Sequence, residues 1–270
     1  SIKSIERNLD IAIIATNADI REEVITELIG LIKVKYMVIE KVAFQSVKVF
    51  KDIMEKFDHL NIKSWVNCTR RMMPFYKDIK NTIFGEKKIK IKVEGGNWGM
   101  ASNSIHMLDL FSYLIGDSFL KIDIEGMDKQ IYTAKREGMI EFGGTLKATA
   151  TRDNILILTD NKDSSGNNVH IINSENYCYT IFHSENKVEY SCKDKGWIIE
   201  NGIFSLPKQS DLTHTLIKDI LNHGNCDLTP LNESYELHRT MLNAFGDHLK
   251  ELLFDRCYAL LTILGWYKED

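Results

Sequence analysis

Residues 9–40 read LDIAIIATNADIREEVITELIGLIKVKYMVIE. The opening run Leu9–Thr16 is almost continuously apolar, the composition of a strand buried on both faces of a parallel sheet. Beyond it, Ile20, Val24, Leu28 and Leu31 recur at helical spacing, which predicts an amphipathic helix, with Asn17 or Asp19 placed to cap it. VKYMVIE, 34–40, returns to the buried-strand pattern. Working outward, QSVKVFKDIMEKFDHL (45–60) predicts a second amphipathic helix, with Ser46 as its cap, and KSWVNCT (63–69) a third strand. The order β-α-β-α-β is that of a doubly wound α/β sheet, where ligands sit outside the carboxyl ends of the strands. Thr16, Glu40, Lys41 and Arg70 fall at or just past those ends.

The pattern changes near residue 70. MMPFYKDIKNTIFG (72–85) predicts a helix, KIKIKVEGG (88–96) a strand by alternation, and NWGMASNSIHMLDLFSYLIGD (97–117) another helix. From Ile122 to Phe204 short alternating segments such as NILILTD, VHIIN, YCYTIFH and KVEYSCK are separated by turn signals, DSSGNN and KDKG among them. These read as an antiparallel meander. Two helices close the chain, at about Leu212–His223 and about Ser234–Thr262, the second long enough to pack across both domains or in a subunit contact. The expected architecture is therefore α/β plus α+β. A partial Rossmann (doubly wound) domain over 1–70 precedes an open, mainly antiparallel sheet domain over 71–270, with helices on one face.

Composition narrows the function. The 270 residues carry 34 basic and 38 acidic side chains, a net charge of −4 without the basic excess of a nucleic-acid binder. The lysine-rich run 80–92 reads first as a solvated edge strand or loop. Five widely spaced cysteines form no CxxC pair, which argues against a disulfide framework and a structural zinc site and favours a reducing cytoplasm. No apolar run reaches the length of a membrane span, and the N-terminus lacks a signal-peptide pattern. His223–Cys226, HGNC, lacks a third ligand and reads as a turn, so no metal is expected.

Four stretches in order, DIAIIAT, VIEKVAF, VNCTRR and GGNWGMASNSIHMLDL, resemble the Gfo/Idh/MocA family of nicotinamide-dependent sugar and polyol oxidoreductases. The family pattern is a strand ending in A-T, a later E-K-P, an R-R after the next strand, and a Gly-Gly segment leading to D-x-x-x-H-x-x-D-L. Here it becomes Ala15-Thr16, Glu40-Lys41-Val42, Arg70-Arg71 and Ser102…His106…Asp109-Leu110. The resemblance spans about residues 9–116. It implies a Rossmann domain followed by a mostly antiparallel sheet domain, NAD or NADP as cofactor, a sugar or polyol substrate, and a homo-oligomer built through that sheet.

The resemblance also assigns roles. Lys41 and His106 become the catalytic pair, a lysine being able to exchange a hydroxyl proton when its surroundings tune it. Thr16, Asn17, Glu40 and Arg70 become cofactor contacts, and Ser102, Asn103 and Asp109 substrate contacts, to which Gln209, placed just before a helix in LPKQSDLTH, adds a sugar-hydroxyl contact read from the segment itself. Three departures stand out. Val42 replaces a proline that often follows a cis bond, so the Lys41–Val42 peptide is either trans or a rare non-proline cis bond. Ser102 replaces an aspartate that relays the proton. Arg21 sits where many members have histidine. The chain also begins at what corresponds to the family's fourth strand, so the glycine turn that cradles a pyrophosphate and two βα units, roughly 30 residues each, have no counterpart in it. Weak binding of nicotinamide cofactors is the expectation.

Each reading has a bland competitor. Glu40 and Lys41 can be two solvated loop charges, His106 a core histidine bonded to Asp109, and Gln209, Ser210 and Asp211 a helix start rather than sugar contacts. Ser102, His106 and Asp109 along one helix do not make a hydrolase triad, which needs its serine on a sharp exposed turn. Two functions remain: an oxidoreductase acting on a sugar, nucleotide-sugar or polyol hydroxyl, or a catalytically inactive sugar-binding or dimerisation protein of the same fold. The wording WVNCTRRMMPFYKDIK (65–80) resembles members met in bacterial surface-glycan biosynthesis.

Overall fold

A computed structural model describes residues 2–5, 8–135, 137–207 and 209–263. The first layer alternates β1 (Leu9–Ile14), α1 (Arg21–Leu31), β2 (Val34–Ile39), α2 (Val47–His59) and β3 (Lys63–Val66). The three strands pair in parallel, with Ile11 opposite Tyr36 and Val38 opposite Trp65. Ser46 caps α2 by accepting from the Val49 amide. No side chain caps α1, which starts after Ile20 rather than at Asn17 or Asp19; Glu22 and Glu23 supply negative charge to its first turn instead.

A 3-10 turn, Thr69–Met72, leads into α3 (Pro74–Thr82), β4 (Lys90–Gly96) and α4 (Met100–Ile115). Next come β5 (Lys121–Asp123), β6 (Tyr132–Thr133), β7 (Ile140–Glu141), β8 (Gly144–Thr149), β9 (Ile155–Asn161), β10 (Val169–Asn173), β11 (Tyr177–Phe182), β12 (Lys187–Cys192) and β13 (Glu200–Ile203). The chain closes with α5 (Gln209–His223), β14 (Thr229–Pro230) and α6 (Leu231–Ile263). The large sheet has the order β13-β12-β11-β10-β4-β9-β8-β5. It is therefore not one meander. β4 is inserted between β10 and β9 and runs parallel to β9, because α4 and the segments after it make a crossover before the chain returns.

Alternation along these strands turns Ile91, Val93, Leu156, Leu158, Ile172, Ile181 and Val188 toward the helices, where they share one core with α1, α2, α4 and α6. On the other face of the parallel sheet, Val38 and Trp65 pack with Leu216 and Ile220 of α5. β14 adds antiparallel to β3, its proline at the sheet edge where no ladder amide is required. The C-terminal segment thus completes the first layer, and the two layers are not separated by a single cut at residue 70. α6 joins them: Tyr235 and His238 pack edge-on against Phe50 of α2, and Phe245 against Phe142 beside β8. β1 differs from its sequence reading. It lies at the edge of its sheet with Ile13 42% exposed, so it is buried on one face only. Among the described residues no helix is long and apolar enough to cross a membrane, and no cluster of metal-ligating side chains occurs.

Candidate functional site

β2 ends at Ile39 and the chain turns sharply through Glu40-Lys41-Val42-Ala43, with a cis Lys41–Val42 peptide. Two buried side chains hold this turn. Arg21, 2% exposed, donates to the carbonyls of Glu40 (2.6 Å), Ala43 (2.7 Å), Val42 and Thr16. A guanidinium fork spreads its donors over a wide planar head and so spans carbonyls that the compact head of an ammonium would not reach together. From α6, His238 Nε2 accepts from the Ala43 amide at 3.0 Å, so its proton sits on Nδ1, which donates to the Ser234 carbonyl at 2.8 Å. Burial, helped by the Arg21 charge, lowers the His238 pKa to about 4 and keeps it in this neutral tautomer.

The turn aims Lys41 across the seam between the layers. Its Nζ donates to Asn103 Oδ1 at 2.6 Å and to the Ser102 carbonyl at 3.2 Å, both in the first turn of α4. Asn103 is fixed in turn by donating to the Trp98 carbonyl at 2.7 Å. His106 stands one helical turn further along, half-buried, with Nδ1 buried and without a partner. Burial pushes its pKa well below the ordinary value, and the charges of Arg70 and Lys41 push the same way. Lys41 and His106 thus lie in one electrostatic neighbourhood, His106 as a neutral imidazole.

The start of α4 is built for this display. Gly99 has a φ of +83°, and a Cβ there would lie 2.8 Å from Ser102 Oγ and 3.0 Å from Glu141 Oε1. Buried carboxylates satisfy the orphan amides of the first turn: Asp160 accepts from Trp98, Gly99 and Met100, and Glu141 from Ala101. The Ser102 hydroxyl donates to Glu141 at 2.6 Å. Ser102 is therefore tied into the helix cap and does not bond His106.

Other expected contacts take different places. Asp109 was read as a substrate contact, but it lies beneath the helix with both oxygens engaged, Oδ2 by Arg71 Nε at 2.9 Å and Oδ1 by the Thr229 hydroxyl. Arg71 also binds Glu233 at 2.6 Å, closing a buried ion triad between the 3-10 turn, α4 and α6. Nor does His106 bond Asp109. Arg70 was read as a cofactor contact. The 3-10 turn after β3 carries it, and its charge acts on Tyr76, His106, His170 and His183. At the strand ends, Glu40 accepts from Asn67 at 2.5 Å, the Thr16 hydroxyl is buried without a partner, and Asn17 is exposed. Gln209 opens α5, and its side chain lies outside the described residues.

Sequence reasoning missed His238, His170 and His183. The first two occupy core-phase positions, His238 spaced with Met241 and Phe245 along α6 and His170 two residues from Ile172 along β10. A polar residue in the apolar phase was the signal available.

No protein-family model matches the sequence, and no curated protein matches it closely. Solved structures do match. A dehydrogenase (MviM) of Clostridium difficile superposes with a TM-score of 0.66 at 18% identity, covering 92% of this chain and 82% of its own. A Gfo/Idh/MocA family oxidoreductase of Vibrio cholerae gives 0.63 at 12% identity over 90% and 78%. The fold is that of the Gfo/Idh/MocA oxidoreductases. The same fold is found in a super-repressor mutant of Gal80p from Saccharomyces cerevisiae, with a TM-score of 0.67 at 14% identity over 90% and 78%.

Proposed function

We propose that this chain carries the reacting half of an NAD(P)-dependent oxidoreductase acting on a hydroxyl of a sugar, nucleotide-sugar or polyol. The observation that carries the reading is Lys41 Nζ held at 2.6 Å by Asn103 on the helix that presents His106. A substrate oxygen beside Lys41 gains a cation as it becomes an alkoxide or a polarised carbonyl. Negative charge appearing there offsets the Lys41 and Arg70 fields that hold His106 neutral, so the imidazole becomes more basic as the hydroxyl loses its proton. Hydride transfer itself belongs to a nicotinamide, and this chain's residues fit only part of one. Residues 1–70 contain a single glycine, Gly30, inside α1, so none of the turns there can form a glycine cradle for a pyrophosphate.

A UDP-N-acetylglucosamine 3-dehydrogenase (GnnA) of Acidithiobacillus ferrooxidans shares the fold, with a TM-score of 0.66 at 10% identity over 87% of this chain and 77% of its own. It supports a nucleotide-sugar as the first substrate to test, in keeping with a role in surface-glycan synthesis in the cytoplasm. The open sheet face, with Ile203 88% exposed on edge strand β13, supports a homo-oligomer. The test combines thermal melting with and without NAD(H) or NADP(H) and hydride transfer on UDP-sugars and polyols. A bound cofactor must raise the melting temperature. Lys41→Met and His106→Asn should abolish turnover without lowering that temperature. If no cofactor moves the melting curve, the reading gives way to a non-enzymatic sugar-binding protein.

A further inference from the structure

Beside the reacting pair lies a basic corner with no acid in it. Arg70 is half-buried, its Nε is buried without a hydrogen-bond partner, and among the described residues no carboxylate pairs with it. The fold treats its other two interior arginines differently: Arg71 is bracketed by Asp109 and Glu233, and Arg21 by four carbonyls. Around Arg70 a second polar atom, His106 Nδ1, is buried and unpartnered, and the buried Tyr76 hydroxyl lies against the guanidinium itself. Orphan polar atoms are uncommon in folded interiors, and two in one neighbourhood mark a place where a ligand or water supplies the missing partners.

The far wall is a histidine pair. Alternation along β10 turns His170 to the covered face, and His183, just past β11, meets it with Nε2 and Nδ1 3.1 Å apart. The Phe204 ring, packed edge-on against both Phe75 and His183 at 4.9 Å, ties this pair to the helix that carries Tyr76.

We propose that Arg70, with His106, His170, His183 and Tyr76 around it, receives one anionic substituent of the substrate, a carboxylate or a phosphate ester. This rests on reading Lys41 and His106 as the reacting end of the same site, and it adds the charge of what reacts there. A guanidinium matches the paired oxygens of either group. A neutral polyol would leave that partly buried charge uncompensated. The imidazoles fit the same role. Burial, and then the Arg70 charge, lower His106 well below the ordinary value and His183 to about 4, and burial, then His183 and Arg70, lower His170 well below it, while no acid acts on any of them. They therefore offer hydrogen bonds at neutral pH without adding charge.

The test needs no nicotinamide, so its failure is separate from failure of the redox reading. The full chain is titrated with D-glucuronate, D-glucose 6-phosphate and D-glucose by calorimetry, while the histidine resonances are followed by NMR. A charged hydrogen bond is worth about 1.5–3 kcal/mol, so at least one acid should bind about tenfold or more tightly than glucose. Tighter glucuronate assigns a carboxylate, and tighter glucose 6-phosphate a phosphate ester. The acid should also raise the His183 titration midpoint by masking Arg70, as Arg70→Gln should in the free protein while erasing the preference. Equal binding of acid and neutral sugar, no binding of either acid, or a preference that survives in Arg70→Gln overturns the proposal. Should Arg70→Gln fail to fold, the wild-type affinities and the His183 shift decide alone.

Discussion

Asn103 Oδ1 accepts from Lys41 Nζ at 2.6 Å, and the same amide donates to the Trp98 carbonyl at 2.7 Å. One side chain thus connects the glycine-rich entry to α4 with the cation on the opposite layer. If Lys41 exchanges the substrate proton, Asn103 sets where it does so. Asn103→Ala should lower kcat about 10²-fold, the low end of general acid–base contributions, with little change in KM. Asn103→Asp should retain the geometry but add a carboxylate beside Lys41. A KM effect with unchanged kcat in Asn103→Ala would show a binding role instead.

The turn bearing Lys41 depends on Arg21, which gathers four carbonyls from two strand ends. Arg21→Ala leaves buried acceptors unmade, at about 1–3 kcal/mol for each that water cannot reach. Melting should therefore drop by roughly 10 °C, at about 2–4 °C per kcal/mol for a chain of this size. Arg21→Lys should recover less than half of that loss, because three rotating donors on a narrow head do not span the same set. Full rescue by lysine would show that charge alone is needed.

Much of this was legible in the sequence, for identifiable reasons. Continuous apolar runs located the three parallel strands, and period-2 and helical apolar spacing located the strands of the large sheet and the helix carrying His106, because each element buries its apolar side chains against a packed core. Lys41 and His106 were singled out through motif order, and the fold brings them to one seam. What escaped was long-range. Nothing local in KIKIKVEGG says that β4 inserts between β10 and β9, and nothing in residues 229–230 says that they extend the first sheet. Asp109 looked like a site residue because it follows His106 by three positions. Its commitment to Arg71 and Thr229 depends on segments about 40 and 120 residues away in the chain. Residues 9–16 appear buried on both sides because their composition does not reveal that β1 is an edge.

The Arg71–Asp109–Glu233 triad yields an asymmetric expectation. Asp109→Ala leaves the buried Arg71 charge with Glu233 alone and should cost about 3–5 kcal/mol in chemical denaturation. Replacing Arg71 and Asp109 with apolar residues of similar size, Arg71→Met with Asp109→Leu, should cost much less, since the charge left behind, Glu233, is a partly exposed carboxylate that water can reach. A double variant as unstable as the sum of its singles would contradict this.

His238 sets the pH response of the fold. Held neutral by burial against Phe50 and by the nearby Arg21 charge, it has a native pKa of about 4, below the value near 6.5 of an unfolded chain. Its native pKa is depressed, so the stability it contributes is complete above pH 6.5. As pH falls from there toward 4, the unfolded chain binds a proton that the native state refuses, and stability is lost. Across that window the loss is about 3 kcal/mol, at 1.36 kcal/mol per unit of pKa difference. His238→Gln can still accept from the Ala43 amide but cannot titrate. Urea denaturation of this variant should show a flatter decline between pH 6.5 and 4 than the parent, even if it starts lower. Parallel declines in the two proteins would assign the acid sensitivity to other groups, His170 and His106 first among them.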